Sequence, residues 1–191
     1  MREKKMNKRR MTTLMICRAG LIAALYVALT LPFGELAFGP IQIRPSEALT
    51  VLPLFYVEAI PGLYVGCMLT NMISTWGVYD IFLGSLATLF AAGCTFVTGI
   101  LIKKPLLKVL VGGVFPIIFN AFLVPVVIML AGGEIAYWTM FAELLLNESI
   151  WVYSLGIPLF YALKALIKKQ VKGVMPCALQ KRKSEGEQST K

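Results

Sequence analysis

Stretches of about 20 apolar residues recur along this chain, and a helix of that length crosses the ~30 Å hydrocarbon core of a bilayer. They run from Thr12 to Leu31, Asp80 to Ile102, Leu106 to Ala131 and Glu148 to Ile167. Backbone groups in lipid must find their partners within the segment, so these runs are expected to be helices. A closed β-barrel would show alternating polarity in segments of about ten residues, and no such alternation is present. The chain is 58% hydrophobic with a mean hydropathy of +0.74, well beyond an ordinary soluble domain. Its 191 residues suffice for one domain, and the expected class is an all-α membrane protein.

The placement of charge sets the number of crossings. Nineteen lysines and arginines against ten acids give a net charge of +9. The basic residues gather in the stretch Met1 to Arg18, at Lys103, Lys104 and Lys108, and from Lys164 onward, with Arg44 alone elsewhere. The positive-inside rule puts all three clusters in the cytoplasm, against anionic headgroups. The difficult stretch is Ser46 to Thr75. If it crossed once, Lys103 and Lys104 would land outside. Two crossings restore the rule, and Glu58, Pro61 and Gly62 supply a turn between them. Short helices from Ser46 to Phe55 and from Ile60 to Thr75 are therefore expected, shielded by neighbours rather than by lipid, with a re-entrant pair as the alternative.

The expected product is a six-transmembrane-helix bundle in the cell membrane with both termini cytoplasmic. Residues 1–11 form a basic tail, 12–169 the membrane domain, and 170–191 a second basic tail. The polar end from Lys181 to Lys191 is expected to be disordered. The apolar run beginning at Leu14 is longer than a signal-peptide core, and no A-x-A site follows it. It is therefore expected to remain as a membrane helix.

Several functions are excluded or weakened by composition. There is no histidine, which removes imidazole metal sites, Ser-His and Cys-His dyads and histidine proton relays. Cys17, Cys67, Cys94 and Cys177 are scattered without C-x-x-C spacing and read as packing residues. No nucleotide-binding loop is visible, and no aromatic residues separate the basic residues of either tail, which argues against nucleic acid. No metal, cofactor or catalytic residue is expected.

Polar residues at membrane depth are costly and usually functional. Asn71, Asn120, Asn147 and Glu148 lie in or beside apolar helices, with Asp80 and Glu47 nearer the ends. Asn147 and Trp151 are four residues apart, and Glu148 and Trp151 three, so a helix sets amide, carboxylate and indole side by side. One reading makes Asn147 a helix cap, Glu148 a partner of the helix dipole and Trp151 an interfacial anchor. The other makes them a site in which Trp151 stacks on a flat ligand and Glu148 accepts its N–H groups. Asn120 lies among aromatics in a run containing Pro116 and Pro125, and either joins two helices or meets a ligand. Asp80 reads as an N-cap, with ligand contact the alternative. Trp76 and Tyr79 read as belt residues or a lid. Arg44-Pro45-Ser46-Glu47 reads as a capped helix start with an Arg44–Glu47 pair. Ala19, Ala23, Ala24 and Ala28 form two interleaved small-xxx-small pairs, suited to an internal helix contact or to docking another membrane protein.

The chain resembles the QueT family, substrate-binding (S) components of energy-coupling-factor (ECF) importers. The resemblance is carried by Phe38-Gly39-Pro40-Ile41-Gln42-Ile43-Arg44-Pro45-Ser46-Glu47-Ala48-Leu49-Thr50-Val51-Leu52-Pro53. It continues through Ile60-Pro61-Gly62-Leu63, Gly66-Cys67 and Asp80-Ile81-Phe82-Leu83-Gly84-Ser85-Leu86-Ala87-Thr88-Leu89. It implies a six-helix bundle that binds a queuosine precursor, a deazaguanine base, for uptake driven by a transmembrane coupling protein and two ABC-type ATPases. It also implies that alanines such as Ala19 and Ala23 meet the coupling protein. The ligand of such components lies near the outer face among the later helices, which puts Trp76, Asp80, Asn120, Asn147, Glu148 and Trp151 where a pocket is expected.

A deazaguanine presents two adjacent N–H donors suited to one carboxylate, a carbonyl for an amide, and a flat face for an indole. Stacking of a base on an aromatic ring contributes about 1–3 kcal/mol, and a hydrogen bond to a charged acceptor about 1.5–3 kcal/mol. An aminomethyl-bearing precursor is a cation, which Glu35, Glu134 and Glu143 in the expected outer stretches Pro32 to Pro45 and Gly132 to Asn147 would attract. The residue types leave three alternatives open: an S component for another flat vitamin or nucleobase, a proton-coupled transporter working alone, and a membrane-embedded enzyme.

Overall fold

Each long apolar run folds as a helix, and the ambiguous stretch between the first two folds as a pair of shorter ones. The computed structural model describes residues 2–38, 42–134 and 136–174, with side chains placed for 11–34, 36–38, 42–134 and 136–169. Helix α1 (Arg2–Thr30) passes into a 3-10 turn (Leu31–Ala37), followed by a 3-10 helix (Pro45–Leu54) and α2 (Ala59–Asn71). A single turn α3 (Gly77–Tyr79) and a π-helical turn (Asp80–Gly84) lead into α4 (Ser85–Leu101), then α5 (Pro105–Leu130) and α6 (Tyr137–Val174). No strand occurs among the described residues. Four segments are long and apolar enough to cross a membrane, Met11–Gly34, Gly77–Leu101, Pro105–Leu130 and Tyr137–Lys169.

Side-chain contacts fix how the chain runs along the bundle. Arg18 pairs with Glu58 at 3.0 Å, whereas further along α1 Tyr26 donates to Glu47 at 2.8 Å and Thr30 lies 2.7 Å from Ser46. The 3-10 helix therefore runs antiparallel to α1, and α2 returns alongside it. Gly62 and Gly66 let α2 approach closely, since a Cβ on Gly62 would meet the Ala19 carbonyl at 2.8 Å and one on Gly66 the Ala23 Cα at 3.1 Å. At the far end of the 3-10 helix the Leu54 backbone lies against Gly99 of α4, where a Cβ would meet it at 2.9 Å. Arg18, Leu54, Glu58 and the Lys103-Lys104 turn thus share one end of the bundle. Thr30, Glu47, Asn71 and Asp80 share the other half.

The first short helix differs from the expected Ser46-to-Phe55 α-helix in type. Ten 3-10 residues rise about 20 Å where ten α-helical residues rise about 15 Å, so the tighter winding reaches further with the same chain. Every residue from Pro45 to Leu54 is buried, as a short helix shielded by neighbours must be. The chain turns at Phe55 to Glu58, while Pro61 and Gly62, expected to supply the turn, lie in the first turn of α2, whose end at Asn71 comes before the expected Thr75.

Three boundaries move. Left-handed Gly77 (φ 61°) starts helical structure before Asp80, so Asp80 is inside a helical segment and is not its N-cap. Helix α6 begins at Tyr137 rather than at Glu148, because Met140 and Leu144, one turn apart, pack against Ala121, Val124 and Ile128 of α5. Asn147 and Glu148 therefore lie in the helix interior, where neither can act as a cap or meet an N-terminal dipole. The basic N-terminal tail is a continuation of α1, and the second tail shares its first residues with α6, while residues 175–191, including Cys177, lie outside the described residues. Of the other cysteines, Cys67 is a core residue packed near Tyr26 and Leu63, and Cys17 is exposed.

The distribution of polarity is that of a membrane protein. Leu101 is 73% exposed and Ile16 and Ile100 are each 66% exposed, while Arg44, Glu47, Asp80 and Glu148 are buried. An apolar exterior of this extent is unsuited to water. In lipid it is the expected face, with ionisable groups turned to the bundle interior.

Candidate functional site

The buried ionisable groups meet in one half of the bundle, away from the Lys103-Lys104 turn. Glu47 comes from the first turn of the 3-10 helix, and Arg44 and Gln42 from the chain just before it. Asn120 comes from α5, Glu148 from α6, Tyr26 from α1, Asn71 from α2 and Asp80 from the π-helical turn. Each is at most 4% exposed. A buried charge persists only where neighbours compensate it, so the partners define what the cluster can do.

Two carboxylates share one amide. Asn120 Nδ2 donates to Glu148 Oε1 at 3.1 Å, and the same carboxamide interacts with Glu47. Glu47 Oε1 also accepts from the Tyr26 hydroxyl at 2.8 Å. The second oxygen of each carboxylate, Oε2, is buried with no protein partner. Gln42 Oε1 and Asn71 Oδ1 are buried acceptors in the same condition.

Arg44 carries the positive charge of the cluster. Its Nε donates to the Ala37 carbonyl at 2.8 Å, its NH2 faces Asp80 Oδ2 at 3.9 Å, and its guanidinium lies 5.1 Å from the centre of the Phe38 ring. The expected Arg44–Glu47 pair is therefore replaced. Arg44 has an extended backbone (φ −123°, ψ 83°) and makes no cap, and it reaches back to Ala37 and across to Asp80, while Glu47 takes the Tyr26 hydroxyl. Beside this pair, Asn71 Nδ2 donates to the Asp80 carbonyl at 2.9 Å. A Cβ on Gly84 would strike Asp80 Oδ1 at 2.5 Å, so glycine there makes room for the carboxylate.

The six residues singled out from the sequence divide into three groups. Asn120 and Glu148 are together. Asn147 and Trp151 are also together, with Trp151 Nε1 donating to Asn147 Oδ1 at 3.1 Å and Asn147 Nδ2 donating to the Gln42 carbonyl at 2.6 Å. Asp80 joins the cluster through Arg44. Trp76 belongs to a separate packing group with Ile128, Met140 and Leu144, and its indole N–H donates to the Phe38 carbonyl at 2.8 Å. It thus ties the segment before Arg44 to the turn before Asp80.

Arg44, Tyr26 and Gln42 were not foreseen as site residues, and Glu47 and Asn71, noted among the costly polar residues, were not placed in the pocket. The signal for Arg44 was its isolation from the three basic clusters, and for Glu47 its place at the start of a long apolar stretch. The alanines of α1 also divide. Ala19 and Ala23 are taken up by Gly62 and Gly66, whereas Ala24 and Ala28 are exposed. The first pair is an internal contact.

The comparisons with known proteins agree with this architecture. Residues 16–165 match the family model described as QueT transporter. The "Queuosine precursor transporter QueT" of Lactococcus lactis subsp. cremoris (strain MG1363) is 40% identical over 77 residues, covering 39% of this chain and 44% of that relative. The similarity thus spans less than half the length of the relative. No solved structure matches the chain. Because the family match runs from α1 through most of α6, this chain belongs to the QueT transporter family, a family of transporters and not of enzymes.

Proposed function

We propose that this protein is the substrate-capture subunit of an ECF importer, and that it binds a queuosine precursor of the deazaguanine type. The observation that carries the reading is the pair of buried carboxylates, Glu148 and Glu47, each with one oxygen unmatched. Such acceptors call for a ligand rich in N–H donors, and the guanine edge offers two side by side. Glu148 takes that edge, with Asn120 holding the carboxylate in place. Trp151, oriented by Asn147, stacks on the ring, and Trp76 fastens the segment beside Arg44. Asp80 acts through Arg44.

In this reading the 3-10 helix and α2 are the second and third of six crossings, and the charge rule puts both termini and the Lys103-Lys104 turn in the cytoplasm. The cluster then lies in the outer half of the bundle, where capture must occur. No nucleotide-binding motif is visible in the sequence, and in this reading a coupling protein and two ATPases supply the energy. Ala24 and Ala28 are exposed on α1 and offer a smooth surface for the coupling protein, whereas Ala19 and Ala23 are occupied internally.

Thermal melting of the detergent-purified protein against a panel of ligands tests the reading. A ligand that binds only the folded state at 100 times its Kd stabilises by about 2.7 kcal/mol. Deazaguanines are expected to raise the melting temperature and pyrimidines to leave it unchanged. Stabilisation by a pyrimidine or another vitamin, with none by deazaguanines, overturns the substrate assignment and leaves a capture subunit for a different ligand.

A further inference from the structure

The charges in the buried cluster do not balance. Asp80 faces Arg44 across 3.9 Å, an ion pair too long for a hydrogen bond between its facing atoms. Arg18 is matched to Glu58 at 3.0 Å near the opposite end of the bundle. Glu47 and Glu148, 1% and 2% exposed, form no ion pair among the described residues, and the cation near them, Arg44, is shared with Asp80. Their partners are neutral donors, the Tyr26 hydroxyl and the Asn120 amide, and one oxygen of each remains unmatched. Neutral donors offset part of the desolvation of two carboxylates, but they do not cancel the repulsion between like charges that share a neighbour.

A neutral deazaguanine satisfies only half of this arrangement. Its two edge N–H groups fit Glu148, and Glu47 is left to share Arg44 with Asp80. A ligand that also carries an ammonium group supplies three donors and a positive charge to the second carboxylate. Resting on the reading above, we infer that Glu47 is a specificity-determining residue, and that the protein selects deazaguanines bearing a protonated amine over neutral ones with the same ring. Glu148 reads the base and Glu47 reads the charge. Asn120, touching both, fixes the spacing between them.

The experiment compares two ligands on the intact protein by isothermal titration at neutral pH, a deazaguanine bearing an aminomethyl group and the same ring bearing a nitrile. The amine is expected to bind tighter by about tenfold or more, the size expected for a charged hydrogen-bonded contact. In Glu47→Gln that preference is expected to shrink to about threefold or less, the amine-bearing ligand losing more affinity than the nitrile-bearing one. Equal affinities in the unaltered protein overturn the inference while leaving the deazaguanine reading intact. Equal weakening of both ligands in Glu47→Gln also overturns it, since Glu47 would then only support the site. If neither ligand binds, the substrate reading falls and this inference with it. The comparison on the unaltered protein needs no variant, so a misfolded Glu47→Gln does not prevent a decision.

Discussion

Asn120 on α5 donates to Glu148 on α6 across 3.1 Å, with both side chains buried. The two residues are far apart in sequence and sit on neighbouring helices, so the bond positions a carboxylate that would otherwise be solvated by nothing. Because Asn120 also touches Glu47, its replacement should disturb two acceptors at once. Asn120→Ala is expected to lower stability by about 1–3 kcal/mol, the cost of leaving buried acceptors unmatched. It should also weaken ligand binding. Combined with Glu148→Gln, the losses should be non-additive by about 0.5–3 kcal/mol in a thermal-melt cycle. Strict additivity would mean that the contact does not matter energetically.

The Arg44–Asp80 pair makes a different prediction. Removing one member of a buried ion pair leaves the other uncompensated, at a cost of about 3–5 kcal/mol. Arg44→Met is therefore expected to be severely destabilised in detergent melts. Arg44→Met combined with Asp80→Leu should recover much of the loss. If the double variant is as unstable as the single one, Arg44 is held chiefly by Ala37 and Phe38.

On α1, neighbouring small residues should behave in opposite ways. Gly66→Leu forces a side chain into the Ala23 backbone, and overpacking of this kind costs about 1–3 kcal/mol or more. Ala24→Leu adds bulk on an exposed face, so the melting temperature should be nearly unchanged. Under the proposed function its effect should appear instead as weaker assembly with the coupling protein, read by co-purification from cells making the whole importer. Full assembly of Ala24→Leu together with full assembly of Ala28→Leu would remove this face from the docking surface.

The tryptophan beside Asn147 provides a test of stacking. Trp151→Ala should cost about 1–3 kcal/mol of binding if the indole covers a base. Trp151→Phe should recover part of that loss, because the ring remains while the hydrogen bond to Asn147 is lost. The measurement is ligand affinity by titration, with melting of the free variants as the folding control. Unchanged affinity in Trp151→Ala would assign the residue to the membrane interface.

Much of the fold was legible because lipid imposes a single solution on a long apolar run, and four such runs are helices in the structure. The pair of short helices was legible through charge, since the positions of Lys103 and Lys104 required the stretch after Arg44 to run along the bundle twice. The winding of the first was not, because nothing local in Pro45 to Leu54 distinguishes a 3-10 helix from an α-helix. Its form is set by burial against α4, α5 and α6. The start of α6 was obscured by Glu134 and Glu143, which made its first turns look like a loop, although Met140 and Leu144 already had helical spacing. At the site, Asn120, Glu148 and the Asn147–Trp151 pair were legible as polar residues in apolar surroundings. Arg44 and Glu47 were masked by their proximity in sequence, which suggested each as the partner of the other. Their partners come from α1, α5 and the π-helical turn, and only the tertiary packing brings those together.

The central claim is that the cluster around Glu148 is where the ligand binds, and equilibrium titration of a deazaguanine into the unaltered protein and Glu148→Gln tests it most directly. Glu148→Gln keeps the shape of the side chain and removes its charge. The account predicts at least about a tenfold weaker Kd in the variant, the equivalent of one charged hydrogen-bonded contact, with the variant still folded by thermal melting. A folded Glu148→Gln protein that binds the deazaguanine as tightly as the parent would contradict it.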